Sequence, residues 1–176
     1  MSTLHVGHSE IVRFADERIN LKREDAAEFR EQVNRLRERL EQHIQENPSF
    51  AIRKMLLSGS LAKGTALKSI GDIDVAVYIS GVDAPAGTRE LIPWLAARLR
   101  QAFPNFKSDQ VRENSFTISV LFSGTELKVD VVPVFYDGDP NWKGYLISKD
   151  TGDKVLTSIP MHLEFIRRRK TANDTH

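Results

Sequence analysis

The sequence predicts an α+β fold, in which a mixed β-sheet is flanked by helices and preceded by a long N-terminal helix. Three observations predict it. A highly charged segment before residue 47 carries apolar residues at helical spacing. The segments DIDVAVYIS (72–80) and LKVDVVPVF (127–135) are rich in β-branched residues, and TRELIPWLAARLRQAF (88–103) between them has a helical pattern. Helices followed by strands with one intervening helix are typical of α+β or mixed α/β domains.

The N-terminal helices are expected over residues 9–47. Ser9 and Glu10 open a short helical stretch, and a longer helix follows it. Its apolar stripe consists of Phe29, Val33, Leu36, Leu40 and Ile44. The Arg and Glu residues around the stripe alternate in sign, which favours a solvated face over a nucleic-acid patch. Asn47-Pro48 ends the helix, because the residue before proline is disfavoured in the helical conformation.

The catalytic sheet is expected over residues 51–135. AIRKMLLS (51–58) is a strand that leads into a glycine turn, and SFTISVLF (115–122) forms a hairpin with 127–135. Residues 136–176 read as a loop-rich tail, in which MHLEFIRRRK starts a helix. All of 1–176 is expected to form a single catalytic domain.

Composition excludes several classes of protein. The chain has a net charge of +1, so any basic site must be local, and nucleic acid is left open as a partner. It has no cysteine, which excludes disulfides, zinc–thiolate sites and a cysteine nucleophile. No apolar run approaches the ~20 residues of a membrane span. The start of the chain does not resemble a signal peptide, so we expect a cytoplasmic protein without a membrane partner.

Carboxylates occupy positions where a core strand would carry apolar residues. Asp72 and Asp74 lie on one face of their strand, because side chains alternate, and Ile73 and Val75 face the core. Asp130 lies in the middle of another apolar strand, where an unpaired charge costs several kcal/mol. The sequence offers no obvious basic strand partner. Two Mg²⁺ ions about 4 Å apart would compensate three such acids.

A small-residue turn precedes the first acidic pair. Gly59 allows the backbone to approach a phosphate, and Ser60 offers it a hydroxyl and an N–H group. Lys63, Gly64 and Thr65 are expected at the start of a short helix, whose N-terminus favours an anion. This order of elements indicates a nucleotidyl transferase. The alternative is that Asp72 caps a turn and that the other two acids lie on an exposed face.

At these residues the chain resembles the nucleotidyltransferase superfamily that includes DNA polymerase β, with its Gly-Ser, Asp-x-Asp and distal Asp. Within it, the chain is most similar to bacterial cyclic-oligonucleotide synthases of antiphage signalling, relatives of cyclic GMP–AMP synthase and oligoadenylate synthase. The resemblance spans roughly residues 10–170. It rests on GSLAKGTALKSIGDIDVAVYI, LKVDVVPVF, RFADERINLKREDA and TSIPMHLEFIRRRK.

The resemblance implies roles for the residues of these motifs. Asp72 and Asp74 would bind both metals, and Asp130 would bind the catalytic metal and help to deprotonate the attacking hydroxyl. The donor triphosphate would lie on Gly59, Ser60, Lys63 and Thr65. The cofactor is expected to be Mg²⁺, with Mn²⁺ as a substitute. A helical domain usually follows at the C-terminus in this family, and we expect it to be missing from this chain.

The same resemblance implies a product and partners. ATP and/or GTP would be the substrates, and a cyclic or linear oligonucleotide second messenger and pyrophosphate the products. An activator or a downstream effector protein is expected as a partner.

Two other functions remain open at this point. One is transfer of AMP to a tRNA or protein acceptor, as in antitoxin-like nucleotidyltransferases. The other is a catalytically inactive nucleotide-binding module. Three aromatic residues near the sheet also have two interpretations, because they can stack on a nucleobase or pack against the sheet. They are Tyr136, Trp142 and Tyr145.

Overall fold

A computed structural model describes residues 7–19, 23–46, 51–63, 72–80, 84–85, 88–123 and 127–173. The α-helices are α1 (His8–Phe14), α2 (Arg23–Glu46), α3 (Gly59–Lys63), α4 (Leu91–Ala102) and α5 (Ile159–Asn173). The strands are β1 (Ala51–Leu57), β2 (Asp72–Ser80), β3 (Val111–Glu113), β4 (Ile118–Phe122), β5 (Leu127–Phe135), β6 (Gly144–Ile147) and β7 (Lys154–Thr157). A π-helical turn at Ala15–Ile19 follows α1, and a 3₁₀ turn at Ser108–Gln110 precedes β3.

The strands form one seven-stranded mixed sheet with the order β1-β2-β5-β4-β3. At its centre β2 and β5 run parallel, in register from Asp72 opposite Lys128 to Ile79 opposite Phe135. The remaining pairs are antiparallel, including the predicted hairpin of β4 and β5. Strand β6 pairs with the end of β5, and β7 pairs with β6. The central parallel pair therefore organises the sheet.

One face of the sheet is covered by α2 and α4 and forms the main core. In β2 the core side chains are Ile73, Val75, Val77 and Ile79, all fully buried. The predicted stripe of α2 packs here, since Val33, Leu36 and Leu40 are buried and Phe29 and Ile44 are partly buried. The predicted stripe of α4 is likewise buried at Leu91, Leu95, Leu99 and Phe103. The hydrophobic periodicity thus identified the correct face of both helices.

The opposite face of the sheet carries the acids at one end and an aromatic cluster at the other. Tyr78 is fully buried, and Tyr136 and Trp142 contact its ring at centroid distances of 5.8 and 5.6 Å. Trp142 also stacks on Tyr136 at 4.9 Å, and Lys54 lies over its ring. Tyr136 and Trp142 therefore pack on the sheet, while Tyr145 is exposed.

The segment after residue 135 differs from the predicted loop-rich tail. It contains two strands that were not predicted, β6 and β7, and β6 extends the sheet where Tyr145 pairs with Phe135. The helix predicted at MHLEFIRRRK is confirmed as part of α5. Glycine and proline are frequent between these elements, so the sequence pattern indicated loops. The strands are short, and their stability comes from tertiary pairing and not from a local pattern. The backbone N–H of Ile159 donates to the Tyr78 hydroxyl at 3.0 Å, which fixes the start of α5 on the sheet.

Within the described ranges, no helix combines the length and the apolar character that crossing a bilayer requires.

We expect Leu95→Ala to lower the free energy of unfolding by about 2–5 kcal/mol, because the residue is fully buried between α4 and the sheet. Leu121→Ala is the matched control, since Leu121 is 39% exposed on β4. Urea denaturation followed by circular dichroism would measure both. Equal losses in the two variants would contradict the packing described here.

Candidate active site

The three predicted acids meet on one face of the central parallel pair. Asp74 of β2 lies opposite Asp130 of β5, and Asp72 lies opposite Lys128. Paired residues of parallel strands point to the same face, so these four side chains form one cluster. The Asp130 side chain is only 13% exposed, which argues against the alternative of acids on an exposed face.

Lys128 supplies the positive charge that the sequence interpretation missed. Its ammonium nitrogen lies 2.8 Å from Asp72 Oδ2 and 3.1 Å from Asp130 Oδ2. The expectation that no basic strand partner exists was therefore wrong. The signal was present in the motif LKVD, because a residue two positions before Asp130 shares its face of the strand.

Asp130 is also held from β4. Ser119, its partner in the β4–β5 register, donates a hydrogen bond of 2.5 Å to Asp130 Oδ1. The Asn114 side-chain amide in turn donates to the Ser119 hydroxyl at 2.9 Å. Both Asp130 oxygens thus have partners, one in Ser119 and one in Lys128. This orientation keeps the carboxylate directed along the face of the sheet.

The acids differ in their electrostatic environment. Burial raises the pKa of Asp74 above its ordinary value of 3.8, and the carboxylates of Asp130 and Asp72 raise it further. The hydrogen bond from Lys128 lowers the pKa of Asp72. The same hydrogen bond to Asp72, and a weaker one to Asp130, raise the pKa of Lys128. Lys128 therefore compensates the negative charge of Asp72, whereas burial and the two neighbouring carboxylates disfavour the negative charge of Asp74.

Gly59 stands against the Asp74 carboxylate. It adopts a φ of +61°, and a Cβ atom there would lie 1.8 Å from Asp74 Oδ2. The N–H of Ser58 donates to the backbone oxygen of Asp74 at 2.8 Å and ties the turn to β2. Glycine is thus required at position 59 by the backbone conformation and by the carboxylate.

The short helix begins earlier than predicted. Helix α3 starts at Gly59 and ends at Lys63, so Lys63 lies in its last turn and not at its N-terminus. Lys63 is close enough to Asp74 to favour the charged carboxylate. Gly64 and Thr65 lie outside the described residues.

A cavity of about 220 Å³ adjoins the turn. Ser58, Gly59 and Lys63 line one side of it, and α5 contributes His162. Nothing in the sequence pattern indicated that His162 would lie beside the turn. The cavity therefore joins the first turn residues to the start of α5.

The chemistry of the cluster fits a hard divalent cation, because three carboxylates converge and an ammonium group already bridges two of them. Among the described residues, no group of three His, Asp or Glu side chains has the arrangement needed to hold a metal ion. Asp72, Asp74 and Asp130 are the residues that would hold the metal.

The comparison with known families is consistent with this geometry. Residues 8–164 match the Second Messenger Oligonucleotide or Dinucleotide Synthetase domain. Since the match takes in most of the chain, the chain belongs to this family. The resemblance to cyclic-oligonucleotide nucleotidyltransferases and the expected fold are thereby confirmed. Nucleotidyltransferases of this kind generally use divalent metals.

Similar proteins are known from Escherichia coli. The chain is 53% identical over 176 residues to the cyclic AMP-AMP-AMP synthase of strain MS 115-1, a match that takes in 100% of this chain and 55% of that protein. The solved structure of CdnC from E. coli MS115-1 with ATP is 53% identical, with a TM-score of 0.82, and the match covers 96% of this chain and 53% of that one. The structure of that CdnC in complex with HORMA-deltaN is 52% identical, with a TM-score of 0.82, and the match covers 97% of this chain and 53% of that one. The chain therefore spans about half the length of these relatives.

Gly59→Ala should destabilise the protein by about 1–3 kcal/mol from backbone strain, plus the cost of displacing Asp74. Gly152→Ala is a close control, because Gly152 has a φ of +81° and nothing within 4 Å of the added Cβ. We therefore expect the smaller loss there, about 1–2 kcal/mol. Chemical denaturation of both variants checks this, and equal losses would mean that the carboxylate contact has no cost.

Asp74→Asn should raise the melting temperature at neutral pH in chelator-containing buffer, because it removes a charge that burial and two carboxylates disfavour. A raised folded-state pKa costs stability as the pH rises above the ordinary 3.8, so the advantage of the variant should shrink as the pH falls toward that value. Thermal unfolding across pH measures it. Asp109→Asn, at an exposed position, is the control, and an Asp74→Asn variant that melts lower than wild type at neutral pH would refute the repulsion.

Proposed function

We propose that this chain carries the catalytic domain of a nucleotidyltransferase that joins ribonucleoside triphosphates into a cyclic oligonucleotide second messenger. The observation that carries the proposal is the cluster of Asp72, Asp74 and Asp130 on the parallel pair, with the Gly59 turn packed against it. The 53% identity to a cyclic AMP-AMP-AMP synthase supports ATP as the substrate and a cyclic tri-adenylate as the product.

In the proposed reaction, an acceptor ribose hydroxyl attacks the α-phosphorus of a donor triphosphate. A new oxygen–phosphorus bond forms, the bond to the β-phosphate oxygen breaks, and pyrophosphate leaves with that electron pair. The proton of the hydroxyl passes to Asp130, which the hydrogen bond from Ser119 holds in place. Repetition of this step with the 5′ triphosphate of the growing product closes the ring.

The donor triphosphate is assigned to the turn at the start of α3. Gly59 and Ser60 would place backbone N–H groups and a hydroxyl next to it, and Lys63 would balance part of its charge. Thr65 completes the set expected from the sequence motif. The cavity between this turn and α5 supports this assignment, because it would accommodate a part of the nucleotide beside the phosphates.

We propose Mg²⁺, with Mn²⁺ as a substitute, as the metal held by the three acids. When bound, it would neutralise charge on the triphosphate and on the leaving pyrophosphate. We place the reaction in the cytoplasm, where ribonucleoside triphosphates are available. By similarity to the CdnC structure that contains HORMA-deltaN, we propose an activating protein of the HORMA type as partner.

The test is incubation of the chain with each of the four α-labelled ribonucleotides and Mg²⁺ or Mn²⁺, followed by phosphatase treatment and chromatography. We expect a small phosphatase-resistant product from ATP. Asp72→Ala/Asp74→Ala should abolish it, because it removes two of the three expected ligands. E. coli CdnC with HORMA-deltaN should be assayed in parallel as a positive control, since the chain spans only about half the length of that relative.

Other results would support the other functions. Label that ends in tRNA or protein would indicate AMP transfer to a macromolecule. Binding of Mn²⁺ and ATP without any turnover, with HORMA-deltaN added and under conditions in which the positive control is active, would indicate an inactive nucleotide-binding module. Product formation that survives the double substitution would show that the acids are not catalytic.

A further inference from the structure

Lys128 occupies the position in the acid cluster that a cation would need. Its ammonium group contacts one oxygen of Asp72 and one of Asp130, at 2.8 and 3.1 Å. The second oxygen of Asp130 accepts the hydrogen bond from Ser119. A metal ion that binds both carboxylates would therefore share them with Lys128, and two cations on the same carboxylates repel each other.

The backbone cannot relieve this conflict, but the side chain can. Lys128 and Asp130 lie two residues apart on a central strand whose register with β2 and β4 fixes both. The Lys128 side chain is 37% exposed, so it can move without opening the core. It also lines a groove of about 330 Å³ that contains the exposed Asp109. The groove gives the ammonium group space outside the acid cluster, with both Asp109 and Arg112 in its walls.

We propose that Lys128 is a resident counter-ion that competes with the divalent metal for Asp72 and Asp130, and that it moves into the neighbouring groove when the metal binds. In this arrangement Lys128 stabilises the metal-free domain and weakens its affinity for metal. The site then fills when a nucleotide delivers the metal as a triphosphate complex. The inference rests on the proposed function only in taking Asp72 and Asp130 as metal ligands.

The test uses two measurements on the nucleotide-free wild type and its variants. Mn²⁺ binding is measured from the electron paramagnetic resonance signal of free Mn²⁺. Stability is measured by thermal unfolding in chelator and in Mn²⁺. Lys128→Met should bind Mn²⁺ roughly tenfold more tightly, because a positive charge next to a divalent ion is removed. Its melting temperature in chelator should fall, and its stabilisation by Mn²⁺ should increase. If the methionine variant folds poorly, Lys128→Gln makes the same comparison.

Two controls separate this effect from a general loss of charge. Lys128→Arg keeps the cation and should bind Mn²⁺ like the wild type. Lys149→Met removes a partly buried lysine that is paired with Glu113 at 3.9 Å, away from the acids, and should also match the wild type.

Unchanged or weaker Mn²⁺ binding in Lys128→Met would overturn the competition and leave the metal site in place. Absence of Mn²⁺ binding in every variant, with or without ATP, would overturn the proposed metal site itself.

Discussion

The parallel register of β2 and β5 is the constraint on which the site depends. It places Asp74 opposite Asp130 and Asp72 opposite Lys128, so charges that are distant in sequence meet on one face. The other face of the same strands fills the core with Ile73 and Val75. A shift of one residue would turn the acids toward α2 and α4, which makes any other register costly. Packing of the core therefore fixes the geometry of the candidate active site.

This register brings three carboxylates together on one face of β2 and β5, and neighbouring residues compensate part of their negative charge. Lys128 and Ser119 hold Asp130 and Asp72, while Asp74 remains under repulsion from both carboxylates. Only a glycine fits at position 59 beside Asp74, since a Cβ would overlap its carboxylate oxygen. The repulsion at Asp74 lowers the stability of the metal-free fold, and a bound cation would relieve it. A loss of stability at a candidate active site is the usual trade between stability and function.

The face of the sheet that carries the acids ends, away from them, in a packed aromatic cluster around Tyr78. Tyr78 packs edge-to-face against the stacked rings of Tyr136 and Trp142, and its hydroxyl accepts the first N–H of α5. Because Tyr78 lies on the same strand as Asp74, the start of α5 is positioned relative to the acids through the sheet. The cavity shared by the Gly59 turn and His162 results from this arrangement. Strand β2 thus links the Gly59 turn to the start of α5.

The sequence by itself determined the long helices, the hairpin of β4 and β5, and the faces of β2 and β5, because these depend on local periodicity. It also identified Asp72, Asp74, Asp130 and the Gly59 turn as one motif. Only the tertiary structure decided that Lys128 bridges Asp72 and Asp130, since this depends on the register between β2 and β5. It also decided that Gly59 meets Asp74, since this depends on how the turn packs against β2. The same holds for β6 and β7, short strands whose stability comes from pairing with each other and with the end of β5 and not from their own composition.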